Sequence, residues 1–196
     1  GNIFAVYSII RNMNNLRNIS QIIEPQYAIE GAGVKLRRSI APRVSNEYDP
    51  FLLFDHFAFN DPLEGPLRGF PTHPHRGIET VTYVLAGEVR HKDTLGNSGT
   101  IGPGDVQWMT AGGGIMHEEM PQPREGKMAG FQLWVNLPAR LKMTRPRYQE
   151  IASVRIPEVR REDGVKIRVI AGAVDDLRGP VTEIAADPTY LDVVVP

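Results

Sequence analysis

The chain contains no cysteine, so it forms no disulfide and offers no thiolate to a metal. A reducing compartment is compatible with that absence. An excess of charge of one sign is also missing: 22 Lys and Arg stand against 23 Asp and Glu, a net charge of −1. That balance argues against direct, nonspecific binding of nucleic acid. No apolar run approaches the roughly 20 residues needed to span a bilayer. A soluble protein is expected, with no membrane partner, in the cytoplasm or, in a eukaryote, the nucleus. Aromatics are few, at 8%. None is interleaved with the densest run of cations, Arg140-Leu-Lys-Met-Thr-Arg-Pro-Arg147, as base stacking would require. That run reads as a solvated loop, open to a protein partner.

Turn-forming residues, by contrast, are plentiful. With 19 Gly and 16 Pro in 196 residues, the chain is punctuated as a many-stranded fold requires, and 41% apolar residues are enough to bury a core. Thr80-Val-Thr-Tyr-Val-Leu85 has strand composition and is followed by a turn at Ala86-Gly87. A second run, Glu88-Val-Arg-His-Lys92, leads to a Gly-rich turn at Gly96-Asn-Ser-Gly99, and Gly102-Pro-Gly104 precedes an apolar stretch ending at Met109. Short strands at this spacing predict an all-β sandwich or barrel.

The residues that carry chemistry fall in two short segments, His73-Pro-His75 and His117-Glu-Glu119. Along a strand, side chains at i and i+2 share a face, so each segment can aim two donors at one point, with Glu118 facing away. If the two strands lie side by side, three imidazoles and one carboxylate converge. Such a set suits a first-row divalent metal that keeps positions open for substrate or dioxygen. Glu79 competes for the fourth place because it is in phase with His73 and His75, and parity alone does not choose between it and Glu119. The other histidines read blandly, His56 as packed among aromatics and His91 as part of a surface hairpin. Trp108, Phe131 and Trp134 read as core. Gly112-Gly-Gly114 reads as backbone freedom just before the His117 strand.

His73-Pro-His-Arg-Gly-Ile-Glu-Thr80 and Pro103-Gly-Asp-Val-Gln-Trp-Met-Thr-Ala-Gly-Gly-Gly-Ile-Met-His-Glu-Glu-Met-Pro121 resemble the two signatures of the pirin family, within the cupin superfamily. Supporting similarity flanks them at Gly33–Ser39, Asp49–Asp55 and Phe131–Pro138, so the resemblance covers most of residues 31–196. It implies a cupin-type β-sandwich or barrel (a double-stranded β-helix) followed by the start of a second cupin domain. The expected division is an unordered extension or targeting remnant over 1–24, a metal-binding cupin domain over 25–150, and a linker with an incomplete second cupin over 151–196. In that last part Val165–Ile170 and Tyr190–Val195 read as strands. Relative to the family the chain looks truncated, leaving an edge open to pairing with another chain. The resemblance selects His73, His75, His117 and Glu119 as ligands of one metal ion, iron(II), with manganese, nickel and cobalt compatible with the same donors. The implied activity is cleavage of flavonols such as quercetin by dioxygen, with Glu119 as proton acceptor. The alternative it implies is a noncatalytic, iron-dependent transcriptional co-regulator acting through protein partners.

Overall fold

The computed structural model describes residues 19–41, 47–59 and 69–196. Most of the expected N-terminal extension therefore lies outside the described residues. Two units divide the described residues: Pro25–Ser153, and Val154–Pro196 together with residues 19–24.

The first unit is built from strands β1 Gln26–Glu30, β2 Val34–Ile40, β3 Phe51–Phe59, β4 Phe70–His75, β5 Ile78–Ala86, β6 Glu88–Asp93, β7 Ser98–Ile101, β8 Val106–Thr110, β9 Ile115–Gln122, β10 Met128–Asn136 and β11 Arg147–Ile151. They form a seven-stranded sheet ordered β1-β2-β3-β10-β5-β8-β11 and a four-stranded sheet ordered β4-β9-β6-β7. Every pairing between neighbours is antiparallel. This is the cupin-type all-β architecture. β5 lies inside the large sheet between β10 and β8, and from Glu79 to Val84 every residue is buried. β6 and β9 alternate buried with less buried residues, the period of a strand with one face inward. Leu36, Phe57, Val84, Val89, Ile101 and Met128 form an apolar cluster that draws on both sheets, while Met109, Ala111 and Ile115 form a second.

Two glycine turns place the strands that bear the histidines. Gly77, at φ 70°, ends β4 and starts β5, and Gly112, at φ 51°, precedes β9. The Gly77 amide donates to the Gly112 carbonyl at 2.7 Å, tying the turns together. A Cβ on Gly112 would collide with the Thr144 carbonyl oxygen. The sequence reading of the triple glycine as backbone freedom thus acquires its cause.

In the second unit β12 Glu158–Arg160, β13 Lys166–Ala171 and β16 Tyr190–Val194 form a three-stranded antiparallel sheet. A short pair, β14 Ala173–Val174 and β15 Leu177–Arg178, accompanies it. Both strands expected from the sequence in this region are present. No helix among the described residues is long and apolar enough to cross a membrane.

Candidate metal centre

β4 and β9 are neighbours in the four-stranded sheet, and their register sets His73 directly opposite His117. His75 follows His73 on the same face, and the Nε2 atoms of the two rings are 3.1 Å apart. Ring nitrogens of His73, His75 and His117 all lie within 4.8 Å of one another. Two strand positions after His117, Glu119 brings Oε2 to 3.9 Å from His117 Nε2.

These donors fit a metal ion. Two nitrogens bound at about 2.1 Å and set at a right angle would be roughly 3 Å apart, close to the His73–His75 separation. Both ring nitrogens of His117 are buried without a hydrogen-bond partner. Buried imidazole nitrogens are normally satisfied, so an orphaned ring beside two others is a demand for a ligand. Burial, and then the neighbouring His117 and His73 rings, push the His75 pKa down to about 4 against the opposing pull of Glu119. Burial likewise depresses His117, again against Glu119. Neutral imidazole is the form that ligates.

Glu119 is braced from the facing sheet. Burial alone would raise its pKa, but His117, the Gln132 amide and the His73 and His75 rings outweigh it, and the carboxyl is held below its usual range. Thr82 Oγ1 donates to Glu119 Oε1 at 3.1 Å, and Gln132 Nε2 lies 3.2 and 3.1 Å from the two carboxylate oxygens. Gln132 is oriented in turn by Trp134, whose indole Nε1 donates to Gln132 Oε1 at 3.2 Å. Sequence reasoning missed Gln132 and Thr82. They become partners of Glu119 only through the β5–β10 register, where they are opposed, and no local pattern announces such a pairing.

Glu79 is elsewhere. It sits on β5 in the other sheet, 1% exposed, accepting a bond from Thr110 Oγ1 at 2.7 Å. Its phase with His73 and His75 carries no weight, because the Gly77 turn lies between them and β4 and β5 belong to different sheets.

The cluster opens on a cavity of about 450 Å³. His73, His75, Glu119, Gln132 and Thr82 line one polar side and Glu30, Arg38 and Asp55 another, while Leu36, Leu53, Phe57, Phe70, Met128 and Trp134 give it apolar walls. The Pirin family profile matches residues 33–135, more than half of the sequence. The chain belongs to the pirin family. A pirin-like protein of Caulobacter vibrioides is 50% identical over 182 residues, 92% of this chain and 66% of its own length. Human pirin is 43% identical over 182 residues, 92% of this chain and 60% of its own. The crystal structure of a quercetin 2,3-dioxygenase from Acinetobacter baumannii superposes with a TM-score of 0.72 at 41% identity, covering 82% of this chain and 58% of that one. The chain thus spans just under two thirds of the length of these pirin relatives.

Three expectations for this pirin chain need correction. His91 is not a surface residue. It is 4% exposed, within β6, with Nε2 2.7 Å from Glu150 Oε1. Its ring fits because Gly99 stands opposite, where a Cβ would come within 2.6 Å of that nitrogen. Trp134 is half-buried and lines the cavity, its ring centroid 5.1 Å from that of His75, so it is wall and not core. Trp108 and Phe131 are core, as expected. The basic run is only partly solvated: Lys142 Nζ donates to Gly77 O at 3.0 Å and to Asn136 Oδ1 at 2.7 Å, bracing the turn after His75. His56 stacks on Phe131 with centroids 4.9 Å apart, a packed residue as expected.

Proposed function

We propose that His73, His75, His117 and Glu119 hold one divalent metal ion, iron(II) as the family resemblance implies, and that this site cleaves flavonols with dioxygen. The observation that carries the reading is that ring nitrogens of His73, His75 and His117 lie within 4.8 Å of one another with the Glu119 carboxylate 3.9 Å from His117 Nε2, and that His73, His75 and Glu119 line a cavity with large apolar walls. Manganese, nickel and cobalt fit the same donors, since affinity order does not distinguish them here. With the metal bound, the site gains a Lewis acid for the flavonol hydroxyl and an electron partner for dioxygen.

The protein's own contribution is positioning and exclusion. The aromatic and aliphatic walls take up a flat, apolar ring system and keep bulk water from the reacting atoms. Trp134 stands nearly perpendicular to His75 and, through Gln132, sets the plane of the Glu119 carboxylate. Ionised because its neighbours hold it so, Glu119 is the proton acceptor for the substrate hydroxyl, with Gln132 and Thr82 keeping its oxygens in place. Cytoplasmic or nuclear residence, and any protein partner, belong to this reading as well.

The test is metal analysis joined to oxygen uptake on quercetin with iron-loaded protein. One metal per chain and oxygen consumption tied to loss of the flavonol are expected. Full metal occupancy without uptake on any flavonol would remove the enzymatic reading and leave iron-dependent binding of a protein partner as the role of the site.

A further inference from the structure

The large sheet carries a polar row along its inner face that the metal centre does not use up. Arg38 on β2 opposes Asp55 on β3, Asp55 opposes Gln132 on β10, and Gln132 opposes Thr82 on β5. Gln132 and Thr82 serve Glu119. On the next two strands, about 5 and 10 Å from Gln132 at ordinary strand spacing, Asp55 and Arg38 line the same cavity together with Glu30. Arg38 Nε and an Nη of the same guanidinium bind the two Asp55 oxygens at 2.8 Å each, and its other Nη meets Glu30 Oε1 at 2.7 Å.

A bidentate pair whose carboxylate side chain is only 6% exposed is a costly thing to put in the wall of an apolar cavity. Apolar residues of similar volume would often stabilise the fold more. The groups therefore invite a ligand-binding explanation. Two carboxylates face one guanidinium, so this end of the cavity carries a net negative charge and is rich in acceptors. Each Asp55 oxygen takes one bond from Arg38 and keeps a further lone pair, while the guanidinium has more N–H groups than these three contacts use. A neutral hydroxyl matches both features, because it donates to a carboxylate and accepts from the guanidinium. A carboxylate on the ligand would meet two like charges.

We infer that Arg38, Asp55 and Glu30 form the specificity-determining end of the cavity, accepting a ring hydroxyl of an aromatic substrate and rejecting an anionic substituent at the same place. This rests on the flavonol reading of the site and adds which flavonols it takes: neutral ones hydroxylated on the ring that lies farthest from the histidines.

The experiment is a binding series on the iron-loaded protein without oxygen, so that nothing turns over. The probes are 3-hydroxyflavone, its 4′-hydroxy and 4′-carboxy derivatives, and the corresponding 7-substituted pair, because either ring can enter first. In wild-type protein a hydroxyl at one of the two positions should tighten the Kd by about tenfold to a hundredfold, the range for a hydrogen bond to a charged group. The carboxylate at that position should bind more weakly than the unsubstituted parent. Asp55→Asn should shrink the hydroxyl advantage to within about threefold. If that variant does not fold, the wild-type series decides alone. Equal Kd values for parent and hydroxylated ligands, tightest binding by a carboxylate, or an undiminished advantage in Asp55→Asn would each overturn the inference while leaving the flavonol reading standing. Failure of all five compounds to bind would bring down the flavonol reading, and this inference with it.

Discussion

His75 meets two requirements at once, being buried deeply enough to stay neutral and aimed at two other imidazoles. Its pKa in the folded, metal-free protein is about 4, against 6.5 for a free side chain. Between those values the unfolded chain binds a proton that the native state refuses, so the contribution of His75 to stability is complete above pH 6.5 and is lost as the pH falls toward 4. Imidazole NMR titration of metal-free protein should place the His75 midpoint well below 6, and a midpoint near 6.5 would contradict its burial. His75→Ala should lower metal affinity by more than about a hundredfold, beyond what loss of an outer-shell partner costs, with the β circular dichroism unchanged; one metal per chain retained in that variant would count against the site. Glu119→Gln should weaken metal binding and abolish flavonol cleavage, because the anionic donor and the proton acceptor are both lost. Glu79→Gln should leave both nearly intact, because glutamine keeps an oxygen to accept the Thr110 hydroxyl, and the opposite order of effects would move the fourth donor to Glu79. At this scale strand parity was enough to bring His73, His75 and His117 together, with Glu119 near His117; their binding of a metal is what these variants test. The sequence was illegible where a role comes from the opposite strand. Nothing in the neighbours of Gln132 indicates Glu119, and nothing near His91 shows that Gly99 will make room for it.

Among the elements, β5, β6, β8 and β9 could be read because turns of glycine and proline separate them, whereas β7 begins at Ser98, inside the stretch read as a Gly-rich turn, because Gly99 pairs with His91. What could not be read is which sheet each strand joins. β4 and β5 are separated by two residues yet belong to different sheets, which is why phase counted across Gly77 misplaces Glu79. The two turns that make this switch are held by backbone contacts, and Gly112 is the tighter of them. Gly112→Ala combines an unfavourable φ with a collision against the Thr144 carbonyl, and should destabilise the first unit by about 2 to 4 kcal/mol. Urea unfolding would measure this. Because Gly112 and Gly77 share a hydrogen bond, the same variant should also weaken metal binding, whereas a purely global loss of stability would leave the affinity of the folded fraction unchanged.

For the whole molecule, the division of the chain sets a different expectation for each unit. Residues 25–153 close two sheets around a shared interior, and their central strands β5 and β8 are almost wholly buried. The strands of the second unit make only a three-stranded sheet and a two-stranded pair. Its edge strand β16 leaves Val193 49% and Val194 54% exposed. Small sheets with an uncovered apolar edge open more easily than a closed barrel and invite pairing with another strand. The sequence showed β13 and β16 as strand-like runs but could not show what covers them, since burial depends on partners distant in the chain. Amide hydrogen exchange should therefore find residues 166–171 and 190–194 less protected than residues 78–86 and 106–110 in dilute solution. Protection of β16 that rises with protein concentration would point to pairing between copies along this edge. Equal and strong protection of both units in a strict monomer would show instead that the second unit is as firmly closed as the first.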